Sequence, residues 1–326
     1  MLNSSKKQHI LALVMLSLTA LFWGAGFVLN DGLLTNFFYD TPILLNAIRF
    51  GLSTIIFLCL FARKIQWNVK NMLYSAIGGV FLFSAFTLQV YGLRLTTPAH
   101  SGFFTAAYIV FVPFIAWIAF RKRPCLSTFI GIVVAIVGLA ILNFKSPDGN
   151  KDTLVGDLIT LCSALMFSLQ IVWSEISLKK GVDHFTFTTL QILAASILFG
   201  IATISIEHKA YASLSFDWTK GGWQLALVVL GGTAFAYFAQ TFSQQHLNSS
   251  ETALIMGCES PVGATLSLLV GTDVFSWNIF VGGFLVILAV VLVEVVPALG
   301  KRRTTEGQVC ADRTDTELHS EVAAKN

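Results

Sequence analysis

SGFFTAAYIVFVP (residues 101–113) and SSETALIMGCESP (residues 249–261) are the two stretches on which the reading of this chain turns. Each lies in an apolar run of about 20 residues, the length that crosses a bilayer as a helix, and each closes on a proline. Pro113 and Pro261 are the only prolines deep inside any such run. Laid proline on proline, the two segments set Phe111 against Glu259 and bring their flanks into line as well. SLTALFWGAGFVLND (17–31) meets LCSALMFSLQIVWSE (161–175) ahead of them. Behind them STFIGIVVAIVGLAIL (127–142) meets NIFVGGFLVILAVVLV (278–293), with Gly131 against Gly282. The order of the pieces is kept throughout, so the chain reads as two copies of one unit.

Composition sets the class of that unit. Of the 326 residues 55% are hydrophobic and 12% charged, with mean hydropathy +0.73, whereas a soluble domain carries about 25% charged residues. Between Leu11 and Pro297 the charges gather in short clusters, and the apolar runs between them predict spans near 11–33, 42–62, 72–93, 99–120, 126–144, 155–177, 185–206, 223–245, 251–272 and 277–298. The expected fold is all-α and integral to the membrane: ten transmembrane helices in two five-helix repeats, 11–144 and 155–297. A short N-terminal tail (1–10) precedes them. The segment 298–326 follows, mixed in charge and free of aromatic residues, the composition of a disordered tail. Lys6 and Lys7 ahead of an apolar stretch resemble a signal peptide, but the stretch is too long and is followed at once by more spans.

Lys and Arg in short loops mark the cytoplasmic side of a membrane. Assigning alternate loops to two sides puts Lys6, Lys7, Arg63, Lys64, Lys70, Arg121, Lys122, Arg123, Lys179, Lys180, Lys301, Arg302 and Arg303 on one side. Arg94, Lys145, Lys151, Lys209 and Lys220 fall on the other. This imbalance predicts a multi-pass protein of a bacterial-type inner membrane with both termini cytoplasmic, which requires an even number of spans. Five helices per half is an odd number, so the second repeat must enter the membrane from the side opposite to the first. Inverted repeats of this kind belong to many secondary carriers, whose sites lie near the midplane at the repeat interface.

With these pieces in view, the chain resembles the drug/metabolite transporter superfamily, in particular its EamA-type members. The resemblance is carried by Phe22-Trp23-Gly24 in helix 1, Arg49-Phe50 in helix 2 and the passage ending at Pro113. In the second half it is carried by Ser163-Ala164-Leu165 in helix 6 and Glu259-Ser260-Pro261 in helix 9. It covers nearly all of residues 11–297. It implies two five-helix repeats and a cavity lined by helices 1, 3, 4, 6, 8 and 9.

Ionisable groups deep in a span cost roughly 2.5–3.5 kcal/mol to insert and mark functional candidates. Glu259 lies about 12–15 Å into helix 9 at about 1.5 Å per residue, near the midplane. There it could exchange a proton, meet a cationic substrate group, or bond a neighbouring helix and fix packing. Arg49 is about seven residues into helix 2. It could reach the interface by snorkelling or cap a helix C-terminus, or meet an anionic substrate. Trp23, Gln89, Tyr108, Gln170, Tyr237 and Gln240 are uncharged polar or amphipathic residues at membrane depth. Each could glue helices together, and as a set they would suit a ligand with an apolar body and a few polar groups. Gly24 and Gly26 permit either a close helix crossing or the approach of a ligand.

These features predict a secondary transporter, an exporter of small metabolites such as amino acids or amphipathic compounds, with a small-molecule substrate, the lipid bilayer and protons as partners. No cofactor and no nucleic-acid partner is expected. No GxxxxGK[ST] loop is present for built-in ATP hydrolysis. A membrane acyl or glycosyl transferase would need a nucleophile or acid/base set at one depth, and a channel-like permease would show charge rings or a repeated filter. Neither pattern is found. The five cysteines show no CxxC spacing, and none of the six histidines has a second ligand at metal-binding spacing.

Overall fold

The computed structural model describes residues 4–96, 98–121, 126–142, 153–271, 277, 281–289 and 291–292. The tail expected over 298–326 lies outside them. Regular structure in the described residues is entirely helical. The first half holds α1 (Ser4–Asn36), α2 (Pro42–Phe61), α3 (Val69–Leu95), α4 (Pro98–Thr105), α5 (Tyr108–Phe120) and α6 (Leu126–Leu142). The second half holds α7 (Thr153–Lys179), α8 (His184–Ile206), α9 (Trp218–Val229), a π-helical turn (Leu230–Phe235), α10 (Ala236–Ser243), α11 (Ser249–Met256) and α12 (Glu259–Val270). Residues 281–289 and 291–292 are also helical.

Three pairs run on as single spans: α4 with α5, α9 with α10, and α11 with α12. Eight spans among the described residues are then long and apolar enough to cross a membrane. The shorter apolar α6 and the helical segment within 281–292 complete two sets of five. These last two cross each other: a Cβ on Gly138 would stand 2.8 Å from the carbonyl oxygen of Gly282 and from Leu285. The chain is thus an all-α membrane protein built as two inverted five-helix repeats.

Polar residues at the run ends set the helix starts. Asn68 accepts from the backbone N–H of Asn71 (2.8 Å), and Asp183 from those of Phe185 and Thr186 (3.0 and 3.3 Å). Asn248 and Glu251 form a reciprocal box at the head of α11. The outer face is apolar, as lipid demands: Ile118 and Leu269 are 79% and 76% exposed. Lipid is as apolar as leucine, so burial of apolar surface adds little between helices, and close approach and polar contacts take over. Ser163 donates to Ala85 O (2.8 Å) and the Trp173 indole to Tyr74 O (2.7 Å), tying α7 to α3.

The bundle has two ends. At one, Lys70 Nζ donates to Lys180 O (2.5 Å) and the Gln66 N–H to Thr186 Oγ1 (3.1 Å). At the other, Glu207 at the foot of α8 accepts from the N–H groups of Ile43 and Leu44 (both 2.8 Å), capping α2, and Thr96 donates to Asp157 (2.7 Å). We refer to them as the Lys180 end and the Glu207 end.

Candidate functional site

Two irregularities of the backbone build the site. The first is the π-helical turn of the eighth span, over Leu230-Gly231-Gly232-Thr233-Ala234-Phe235. Widening the helix there lets Thr233 Oγ1 donate to Val228 O (3.0 Å). Gly232 O is left to accept from side chains: Arg49 Nη2 (3.2 Å) and the Trp23 indole (2.9 Å). Arg49 Nε also donates to Thr233 Oγ1 (2.6 Å), and the guanidinium lies over Phe86, 4.4 Å from the ring centroid. Single π-turns inside α-helices cluster at functional positions, and this one docks a cation and an indole from two other helices. No carboxylate lies within ion-pair distance of Arg49 among the described residues.

The second irregularity is shared by the fourth and ninth spans, each of which breaks near its middle. At 106–107 the Ala107, Ile109 and Val110 N–H groups reach only three residues back, to Phe104, Ala106 and Ala107. At 257–258 the same happens for Cys258 and Ser260, bonded to Ile255 and Gly257. Pro261 has no N–H to give to Gly257 O, so the second break falls where a proline dictates. The first lies a turn ahead of the matching position for Pro113. Proline-to-proline alignment had paired Glu259 with Phe111, and the structure corrects this. Glu259 and Tyr108 are the equivalents, each the first residue of the half-helix after its break.

Both residues are buried, at 2% and 1% exposure. The Tyr108 hydroxyl stands beside the Glu259 carboxylate, close enough for the two to interact. Apart from that neighbour, neither Tyr108 Oη nor Glu259 Oε1 meets a hydrogen-bond partner among the described residues. Backbone packing holds Glu259 in place: a Cβ on Gly24 would stand 2.7 Å from its carbonyl oxygen, so only glycine lets α1 cross there. Gly26, two residues on, has nothing nearer than the Asn30 side chain at 3.7 Å and faces open space.

Arg49, Tyr108 and Glu259 look into one cavity with about 560 Å³ not filled by atoms, open space at its mouth included. Its walls are aromatic: Phe22, Trp23, Phe27, Phe86 and Phe167. Asn30, Gln89, Thr105 and Gln170 add polar groups. Toward the Lys180 end the space stops at a layer of buried side chains. Gln240 Nε2 donates to Gln170 Oε1 (3.0 Å) and Gln170 Nε2 to Gln191 Oε1 (3.1 Å), an amide ladder across α10, α7 and α8. Tyr237, fully buried, packs on Trp23 with ring centroids 5.7 Å apart and closes the same level.

Of the eight residues singled out from sequence, Glu259, Trp23, Tyr108, Gln170, Gln89 and Arg49 line this cavity, and Tyr237 and Gln240 stand directly behind it. The expectation that Arg49 snorkels to the interface, or caps a helix C-terminus, is overturned. It is 4% exposed and turned inward onto the side of a widened helix. Sequence reasoning missed Phe27, Asn30, Phe86, Thr105 and Phe167. The phenylalanines look like any lipid-facing residue until the helices are packed. Gly231-Gly232-Thr233, an unusual run of small residues in an apolar span, was the one legible sign of the π-turn.

Comparison with known proteins agrees with this architecture. The EamA-like transporter family matches the chain twice, over residues 10–144 and 154–295. An uncharacterized transporter of Archaeoglobus fulgidus is 26% identical over 282 residues, 86% of this chain and 84% of its own length. The uncharacterized transporter YetK of Bacillus subtilis is 25% identical over 189 residues, 55% of this chain and 54% of its own. Mouse solute carrier family 35 member F2 is 26% identical over 110 residues, 32% and 29% of the two chains. A solved crystal structure superposes with a TM-score of 0.69 at 15% identity, covering 90% of this chain and 99% of the other, a likeness of fold.

Proposed function

Because the chain belongs to the EamA-like transporter family, and so to the drug/metabolite transporter superfamily, we propose that it is a secondary carrier exporting small zwitterionic metabolites, amino acids and compounds of like charge, by alternating access. That it is a multi-pass membrane transporter follows from the family and the apolar spans. In our reading, residues 11–144 and 155–297 are the repeats that rock against each other. The Lys180 end faces the cytoplasm, on the side favoured by the lysines and arginines.

The observation that carries the substrate class is the pair of unpartnered charges. A buried guanidinium and a buried carboxylate, neither with an ion-pair partner among the described residues, border one aromatic-walled space. Leaving such groups unpaired in a membrane is costly, and a ligand with a carboxylate for Arg49 and an ammonium for Glu259 removes both costs at once. When the site is empty, a proton on Glu259 does half of that work. A proton and a substrate amine would then compete for one group, which is the logic of proton-coupled antiport.

A thermal-shift series tests this: an apolar amino acid, the amine lacking its carboxylate, and the acid lacking its amine. Ligand binding raises the melting temperature with affinity, and the zwitterion should stabilise most. Equal shifts from all three would overturn the zwitterion reading. In proteoliposomes, saturable counterflow of the stabilising compound is expected. Glu259→Gln should retain exchange but lose accumulation driven by a pH gradient. Unchanged gradient-driven accumulation in Glu259→Gln would remove Glu259 from the coupling.

A further inference from the structure

We propose that the hairpin of α10 and α11 (residues 236–256) is the gate at the Lys180 end, latched shut in this structure by Glu175 on Ser249, and that the buried polar seam beneath it is the stretch of substrate path that turns wet when the hairpin lifts. The proposal rests on the carrier reading.

The latch is explicit. Glu175, 3% exposed and one turn from the end of α7, accepts through Oε2 from the backbone N–H of Ser249 (2.7 Å) and from its hydroxyl. Ser249 is the first residue of α11, so the carboxylate satisfies an N–H that the helix itself leaves orphaned and sits at the positive end of its dipole. Lys179 Nζ holds the other carboxylate oxygen (2.5 Å) and lies 4.1 Å from the ring centroid of Phe120, at the end of α5. Gln244 Nε2 donates to Ile171 O (2.9 Å) and Ser243 Oγ to Ala12 O (3.0 Å), drawing the hairpin onto α7 and α1. Its two ends are places where the helical ladder is already interrupted: the π-turn over 230–235 before α10 and the break at 257–258 after α11. A hairpin bounded in this way can pivot without unwinding a regular helix.

The seam lies just inside the latch. Tyr237, Gln240 and Gln244 recur at spacings of three and four on one face of the eighth span, the last two bonded to α7 through their amide nitrogens. All three are buried, and Tyr237 Oη, Gln240 Oε1 and Gln244 Oε1 have no hydrogen-bond partner among the described residues. Ser174 on α7 and Thr252 on α11, both fully buried, leave their hydroxyls unpaired in the same way. A serine inside a helix can bond the carbonyl four residues back, as Ser168 does to Ala164 O and Ser177 to Trp173 O (both 2.7 Å) on this same helix. Ser174 stands between them and does not. Buried oxygens kept dry without partners are costly, whereas a lining that meets water in one state and is sealed in the other requires them. The seam runs on from Gln170, in the cavity wall, to Glu175, about 7–8 Å further along α7 at about 1.5 Å per residue. Lifting the hairpin therefore joins the cavity to the Lys180 end.

Side-specific labelling tests this. In a background with Cys59, Cys125, Cys162, Cys258 and Cys310 replaced by serine, Ser174→Cys places a reporter in the seam without removing a side-chain hydrogen bond. A membrane-impermeant maleimide is then applied from the Lys180 side. Glu175→Ala should raise the labelling rate about tenfold, the population shift that one charge-assisted hydrogen bond commands. A second reporter, Asn30→Cys in the cavity wall, is labelled from the opposite side, and there Glu175→Ala should lower the rate. Loosened packing alone would raise both. An unaltered rate at Ser174→Cys, or a rise there without the fall at Asn30→Cys, would overturn the gate. Should Glu175→Ala fail to fold, the doubly substituted A12C/S243C protein, which keeps Glu175, carries the test. A reducible cross-link between those two positions should stop exchange and reduction should restore it, and exchange continuing in the cross-linked protein would sink the proposal. Saturable exchange without the opposed changes in labelling removes the gate alone. Absence of any saturable exchange by the unaltered protein removes the carrier reading, and the gate with it.

Discussion

The fourth and ninth spans are the same device with different chemistry. Each enters from its own end of the bundle, breaks near the middle, and starts its second half-helix with a side chain on the cavity. In the first repeat that side chain is Tyr108, and in the second it is Glu259. Under the carrier reading proposed above, the contrast separates two demands on inverted repeats. Gating needs symmetry, because each end must close in the way the other opens, and the backbone breaks keep it. Energy coupling and charge recognition need one defined group, and there the repeats differ.

This comparison breaks if the tyrosine matters as much as the carboxylate. Glu259→Gln is expected to lower gradient-driven accumulation about 100-fold, the upper size of a lost charge-assisted contact. Tyr108→Phe should lower it by less than about tenfold. Measuring both in proteoliposomes under an imposed pH gradient decides it, and equal losses would mean that the two positions act as one.

A second prediction sharpens the contrast between the π-turn of the eighth span and the regular helix expected in its place. Arg49→Lys should weaken substrate affinity about tenfold. A single ammonium cannot span Thr233 Oγ1 and Gly232 O together while presenting a flat face to Phe86. Isothermal titration with the compound found by thermal shift measures this, and unchanged affinity would assign Arg49 to packing alone. Smallest is the difference between two neighbouring glycines. Gly24→Ala forces a Cβ against the Glu259 carbonyl and should cost about 1–3 kcal/mol of stability. Gly26→Ala has room and should stay within about 0.5 kcal/mol of the parent. Melting curves in detergent compare the pair, and equal losses would contradict the crossing at Gly24.

Much of this was legible before any coordinates. Apolar runs between charge clusters located the spans because a bilayer imposes one length on every helix that crosses it. At several ends the helices run past the apolar runs: α1 starts at Ser4 and the third span reaches Val69, since polar turns beyond the hydrocarbon core stay helical. Glu259 and Arg49 stood out because charge in an apolar run is expensive wherever it points. The aromatic walls did not stand out, because phenylalanine toward lipid and phenylalanine toward a cavity obey the same local rule.

The sequence by itself determined the membrane class, the doubled five-helix plan and its inversion, because hydropathy, loop charge and repeat order are properties of the chain read along its length. Tertiary structure alone decided that Tyr108 rather than Phe111 answers Glu259, that Arg49 docks on a π-turn instead of reaching for the interface, and that Arg49 and Glu259 border one cavity. These depend on where helices bend and which faces meet. In lipid that is set by backbone hydrogen bonds displaced by a turn and by glycine-sized gaps between helices, which no one-dimensional pattern records.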